Sequence, residues 1–316
     1  MTSRIVTVLV TIILAASVAV GVFEGRTYLA NRKAQKIENT AISAAVMHAS
    51  SYTVGIVSDN VPAFVQTCRC SPNVAVEYIR IGDPVSSLIP HEVLLDGATP
   101  LLELEPFDKS LSSIIAGQQD QWLTSYARMV KSQKAAIDMS FAPESNGYWY
   151  SWGWPNVQPA TEVAAWQHVV TVFRRAGATN VKWIWIVNQL WDKSGPLPRL
   201  WPGQNYVDEI GIDGYFRKTT DTFDSIFGPT ITQLRQIASK PIVITETAGS
   251  PQAGQARTLT EITAGIAKFK LSGFIWFNID QGTNGLGHAN WAISDDPQAL
   301  TEYSAVVKKY ERLVPD

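Results

Sequence analysis

Two acidic residues sit where the pattern of the chain lets them act together. Glu144 lies in Met139-Ser-Phe-Ala-Pro-Glu-Ser-Asn-Gly-Tyr-Trp-Tyr-Ser-Trp-Gly-Trp154. A short apolar run ending at Phe141 reads as a strand. Pro143 breaks it into a loop that carries one acid, followed at once by Asn146, Gly147, Tyr148, Trp149, Tyr150 and Trp152. Aromatic rings stack on sugar faces, and apolar walls raise a carboxyl's pKa so that it can donate a proton near neutral pH. Glu246 closes Lys240-Pro-Ile-Val-Ile-Thr-Glu-Thr-Ala248, an apolar strand that delivers a carboxylate at its end. Two carboxyls facing one glycosidic bond are the minimum equipment for its hydrolysis: one protonates the leaving oxygen, and the other attacks the anomeric carbon or activates water. The plainer readings are a surface acid in a loop packed by aromatics for Glu144, and a helix cap or salt bridge for Glu246.

These acids must be held by regular elements. Apolar runs at 54–57, 74–81, 100–104, 136–141, 181–187, 207–212, 241–245 and 273–277 predict eight strands. Several are continuous rather than alternating, as in strands covered on both faces. Amphipathic stretches at 120–131, 161–175, 223–238, 259–268 and 297–313 predict helices between and after them. Gly177 reads as a C-terminal stop for the second. Strands alternating with helices over residues 51–316 predict one catalytic domain with an α/β, (β/α)8 barrel fold. A doubly wound sheet is the alternative, but Val57-Ser-Asp-Asn60 is not its glycine-rich phosphate loop. In a barrel, chemistry gathers at the carboxyl ends of strands. Acids there are Asp59, Asp83, Glu103, Glu105, Glu144, Asp213, Glu246 and Asp280. The fourth and seventh strands face each other across the barrel, so Glu144 and Glu246 can reach a common point.

Residues 1–24 read as a signal anchor or signal peptide, and 25–50 as a tether. The run from Ile5 to Phe23 nearly matches a bilayer core of about 30 Å at 1.5 Å per residue. It exceeds the usual signal-peptide core of about 7–15 residues, which favours an uncleaved anchor, although small residues near Ala15-Ala16-Ser17 leave cleavage open. An extracytoplasmic domain, membrane-anchored or secreted, is expected. Over 316 residues the net charge is -2, which excludes a strongly basic nucleic-acid surface. Eleven Trp and ten Tyr serve either cores or carbohydrate clefts. Cys68 and Cys70 are too few for structural zinc. A bridge between residues two apart reads as strained, so the pair is expected to be structural or incidental, with a labile disulfide as the lesser alternative. His168 reads as a core or capping residue. His288 lies in a loop, 282–290, that either folds over bound sugar or is ordinary surface. No metal cluster and no cofactor are expected, and a monomer is.

From Leu101 onward an ordered set of motifs resembles glycoside hydrolase family 26, in the clan with catalytic glutamates on strands 4 and 7. The set comprises Leu104-Glu-Pro106; Gly117 with Asp120 and Ala127; Phe141-Ala-Pro-Glu-Ser-Asn-Gly-Tyr-Trp149 through Trp152-Gly153; Trp166-Gln-His168; Gly177 to Trp183 into Trp185 and Asn188; Trp201-Pro-Gly203 with Tyr206-Val-Asp208; Gly211-Ile-Asp-Gly-Tyr215; Lys240-Pro241 through Glu246; and Trp276-Phe-Asn278. The resemblance implies Glu144 as acid/base and Glu246 as nucleophile. It implies Trp149 and Trp152 as cleft walls, Tyr215 as a hydrogen-bond donor to the nucleophile, Trp276 as the floor under the sugar, and Asn188 as a cleft residue. The implied activity is a retaining β-glycoside hydrolase on a β-linked polysaccharide, with an endo-β-1,4-mannanase-like enzyme first. A β-1,3-xylanase, a mixed-linkage β-glucanase and a non-catalytic glycan-binding barrel are the alternatives. Pro143 stands where many mannanases of the family carry histidine, and Ser140 begins the motif where they often carry arginine.

Overall fold

The computed structural model describes residues 52–87, 97–282 and 288–311. The apolar span and tether expected within residues 1–50 lie outside them. No helix among the described residues is long and apolar enough to cross a membrane.

Eight strands follow one another around a closed parallel barrel. They are β1 (Thr53–Val57), β2 (Val74–Arg80), β3 (Thr99–Glu105), β4 (Ile137–Phe141), β5 (Val181–Asn188), β6 (Glu209–Asp213), β7 (Ile242–Thr247) and β8 (Gly273–Phe277). Every residue of β4, β6 and β8 is buried, because the outer helices cover one face and the lumen closes the other. The helices are α1 (Val61–Cys68), α2 (Leu111–Ile115), α3 (Asp120–Ser132), α4 (Pro159–Ala176), α5 (Leu197–Leu200), α6 (Phe223–Ile237), α7 (Gln255–Phe269) and α8 (Pro297–Glu311). The long helices were legible from their apolar spacing. The short α1, α2 and α5 were not, since one or two turns give too few residues for a period to show.

Closure excludes the doubly wound alternative: β1 pairs with β8 from Thr53↔Gly273 to Val57↔Phe277. Gly273 makes the seam possible. Its φ is +144°, and a Cβ there would lie 2.0 Å from the Thr53 carbonyl oxygen. Tyr303 of α8 pins the same seam by donating to the Gly55 carbonyl at 2.7 Å. Lys182 of β5 bridges Asp138 of β4 at 3.1 Å and Glu209 of β6 at 2.9 Å, and both carboxylates are buried.

Side chains and local turns start and stop the helices. Asn60 accepts from the Ala63 amide at the head of α1, and Thr222 and Ser225 form a reciprocal capping box on α6. Gly177 ends α4 in the left-handed conformation, as expected. His168 of α4 contacts Asp120 of α3 at 2.6 Å, a contact between the two helices.

Cys68 and Cys70 are joined by a disulfide, against the preferred reading of an unbonded pair. Arg69, left-handed at φ 51°, turns the chain back after α1. The Cα atoms come to 5.3 Å, inside the ordinary range for a bridge, which removes the expected geometric objection.

Candidate active site

The loop after β4 is built so that Glu144 cannot drift. The Ala142 amide donates to Leu104 of β3 at 2.9 Å, and the Glu144 amide donates to Ile186 of β5 at 3.0 Å. The loop therefore continues both neighbouring ladders past the last residue of β4. Ala142 and Glu144 both take left-handed backbone angles, φ 47° and 54°, on either side of Pro143. Non-glycine residues pay about 1–3 kcal/mol each for such angles, and surrounding bonds must hold them there.

Asn146 supplies one such clamp. Its side-chain amide donates to the Asn188 carbonyl at 2.8 Å, and its Oδ1 accepts from the Asn188 amide at 2.8 Å. That fixes the end of β5, from which Asn188 Nδ2 donates to Glu144 Oε1. The other oxygen, Oε2, accepts from Trp149 Nε1 at 2.7 Å. The Trp149 ring lies against Gly147, where a Cβ would meet it at 2.3 Å. Trp149 itself is 42% exposed.

Glu246 is held from two sides. Tyr215, two residues beyond β6, donates to Oε2 at 2.5 Å, and Tyr78 of β2 donates to Oε1. Tyr215 was expected in this position; Tyr78 was not. The signal available for Tyr78 was its inward phase with Val74 and Val76 on β2, and no motif marks that stretch.

Five carboxyls share the mouth of the barrel. Glu103, Glu105 and Asp213 are buried, whereas Glu144 and Glu246 are half-buried and reach the open side. Asp59 and Asp280 are exposed and Asp83 is half-exposed, all outside this group. Burial pushes Glu144 up to about 7, helped by the charge on Glu246 and opposed by the Asn188 and Trp149 donors. Burial also raises Glu246, and the two phenols pull it back down. Burial first and Glu246's charge second raise Glu103, Glu105 (to about 7) and Asp213. Glu246 is the member of the cluster with two phenol donors, and these favour its charged form against burial.

Two expected sugar-facing rings are placed otherwise. Trp152 is only 2% exposed. Its Nε1 donates to the Pro143 carbonyl at 2.8 Å, and its ring stacks on Tyr150 at 4.2 Å, so it props the Glu144 loop from behind. A cavity of about 590 Å³ between Phe107, Trp152, Asn156 and Thr161 lies beside this prop and is lined by neither Glu144 nor Glu246. Trp276 has no exposed surface and donates to the Trp291 carbonyl at 3.0 Å. It offers no stacking face in this conformation.

No group of three or more His, Cys, Asp or Glu among the described residues is arranged to hold a metal ion.

Comparison with known proteins agrees with this architecture. A protein from Acetivibrio thermocellus named Endoglucanase H is 32% identical over 228 residues, covering 67% of this chain and 24% of that protein. This chain therefore spans about a quarter of that relative's length. Among solved structures, a family 26 β-mannanase from Bacteroides ovatus superposes with a TM-score of 0.63 at 15% identity, covering 85% of this chain and 92% of the other. A modular endo-β-1,4-mannanase from Cellulomonas fimi gives 0.60 at 15% identity, covering 83% and 73%. At such identities the likeness speaks to the fold. The description "Glycosyl hydrolase family 26" matches residues 113–286. That match spans more than half of the chain, and with the closed barrel beneath it the protein belongs to glycosyl hydrolase family 26.

Proposed function

We propose that this protein is a retaining β-glycosidase that cuts within a β-linked polysaccharide, with Glu246 as nucleophile and Glu144 as acid/base. One observation carries this reading: the two half-buried carboxyls of the mouth have different partners. Two phenols donate to Glu246 and favour its charged form against burial, whereas Glu144 sits at about 7, able to give and take a proton at neutral pH. In the first step an oxygen of Glu246 bonds to the anomeric carbon, the bond to the departing oxygen breaks, and that oxygen takes the proton of Glu144. In the second, Glu144 removes a proton from water, the water oxygen bonds to the same carbon, and Glu246 leaves as carboxylate. Asn188 and Trp149 stabilise the ionised state that Glu144 reaches between the two steps. The part-exposed indole of Trp149 would stack on a sugar ring.

For the backbone we favour a β-glucan, because the relative at 32% identity bears the name of an endoglucanase. A β-1,4-mannan is the second reading, favoured by the mannanases among the structural neighbours. The two sugars differ in the hydroxyl at C2, beside the carbon under attack, so the groups around Glu246 must discriminate them. The run from Ile5 to Phe23 supports a tether holding this domain at a membrane outside the cytoplasm.

The test is digestion of mixed-linkage β-glucan, β-1,4-mannan and β-1,3-xylan by the wild type, Glu144→Gln and Glu246→Gln. Proton NMR of the first product gives the stereochemistry. Retained anomers from the wild type and none from either variant are expected. Full activity in either variant, or an inverted product, overturns the assignment. Glycan binding without cleavage by the wild type would mark a binding barrel instead.

A further inference from the structure

The two phenols on Glu246 are not equivalent. Tyr215 is wedged in place: its ring meets Phe277 edge-on at 5.8 Å and Trp291 at 4.8 Å, with the Arg217 guanidinium 5.9 Å away over its face. Tyr78 is 41% exposed, and among the described residues no aromatic ring or cation packs on it. Its hydroxyl nevertheless reaches inward to Glu246 Oε1, and its register partner on β3 is the buried Glu103. Tyr78 also lies before residue 113, where the family match begins. One oxygen of Glu246 is therefore held by a locked donor, and the other by a donor whose partly exposed side chain is not braced in that way.

An attacking oxygen must turn a lone pair toward the anomeric carbon and give up its donor for that moment. The spectator oxygen can keep its donor through both steps. We propose that Oε1 is the attacking oxygen of Glu246 and that Tyr78 is its exchangeable donor, releasing Oε1 for attack and donating to it again as the glycosyl ester breaks. Tyr215 holds the spectator Oε2 throughout. In the first step Oε1–C1 forms as the bond from C1 to the leaving oxygen breaks, and that oxygen takes Glu144's proton. In the second, water bonds to C1 and passes a proton to Glu144, and the electron pair of Oε1–C1 returns to Oε1. Tyr78 keeps its own proton and donates a hydrogen bond to the negative charge that reappears. Removing that bond acts mainly on the second step, where carboxylate is the leaving group. In the first step the lost bond leaves Oε1 a better nucleophile but a poorer resting anion, and these effects offset each other.

This inference rests on the glycosidase reading, and the experiment separates the two. Wild type, Tyr78→Phe and Tyr215→Phe are mixed with 2,4-dinitrophenyl β-cellobioside and 2,4-dinitrophenyl β-mannobioside. Dinitrophenolate is followed by stopped flow, the covalent adduct by intact mass, and folding by thermal melting. Tyr78→Phe is expected to show a burst of up to one equivalent and a mass adduct on Glu246. Its kcat and KM should fall together by about 10- to 100-fold, the loss of one hydrogen bond to a charged group. The groups facing Glu246 besides Tyr78 are Tyr150, Tyr215, Glu103, Glu105, Glu144 and Asp213. Against that background the acid limb of kcat/KM in Tyr78→Phe should move to higher pH, because a donor to the anion is gone. Tyr215→Phe should lose rate in both steps and show no burst. A folded Tyr78→Phe with no burst, no adduct and an unmoved acid limb overturns the role of Tyr78. A burst in Tyr215→Phe in place of Tyr78→Phe assigns the attack to Oε2 and overturns it as well. Release from neither glycoside by the wild type overturns the glycosidase reading, and the inference with it.

Discussion

Trp149→Phe tests how the environment of Glu144 sets its proton. The change keeps an aromatic side chain but removes the outer part of the indole and with it the Nε1–H that donates to Glu144 Oε2 at 2.7 Å. That donor favours the carboxylate and opposes the burial that lifts Glu144 to about 7. Removing it disfavours the charged form, so the pKa rises further and the acid stays protonated to higher pH. A hydrogen bond to a charged group is worth about 1.5–3 kcal/mol, or about 1–2 pKa units. Trp149 is 42% exposed, so water takes over part of its role, and a rise of about 0.5–1 unit is expected. The assay is the pH dependence of kcat/KM on a polysaccharide or another substrate with a poor leaving group, where the general acid is needed. The basic limb, near 7 in the wild type, should shift to about 7.5–8 in the variant. A limb that stays in place, or moves to lower pH, refutes the argument that this indole tunes Glu144.

Asn146→Ala should loosen the end of β5, because both hydrogen bonds to the Asn188 backbone go with the side chain. Its kcat should fall and its basic limb rise, together with a stability loss of about 1–3 kcal/mol in urea melts. Lys182→Met leaves the buried Asp138 and Glu209 without their shared cation. Because the lysine is itself partly exposed, the cost should be about 2–3 kcal/mol, below the 3–5 of a fully buried pair, and denaturant midpoints measure it. Stability should also fall with rising pH. Glu105 is raised to about 7 by burial and by Glu246, against about 4.3 in the unfolded chain. The folded form therefore binds its proton more tightly, and that contribution is full below about 4 and is lost as pH rises through 7. Melting temperature should drop between pH 5 and 8, and Glu105→Gln should flatten the slope.

Alternation of apolar runs with amphipathic stretches was enough to specify the barrel. Burial on two faces imposes a continuous apolar run on several of the strands, and that is a local property of the chain. The loop after β4 was legible for the same reason: Glu144, Asn146, Gly147 and Trp149 act on one another within a few residues. The strand-end position of Glu246 was equally local. Contacts between distant segments were not. Tyr78 reaches Glu246 across 168 residues, and Asn146 grips Asn188 across 42. Nothing in either partner's neighbourhood announces the other, because closure of the barrel alone sets those distances. Ring exposure was hidden too. The spacing that marks Trp149, Trp152 and Trp276 as aromatic is silent on which faces the packing leaves open. The structure opens Trp149 and buries the other two. The Cys68–Cys70 bond turned on the left-handed backbone of Arg69, a conformation that residue types do not reveal. Sequence alone thus determined the strands, the long helices and the acids they carry. Only the tertiary fold decided which donors meet each carboxyl oxygen, and hence where charge and proton reside, because those depend on distances of a few ångströms between residues far apart in the chain.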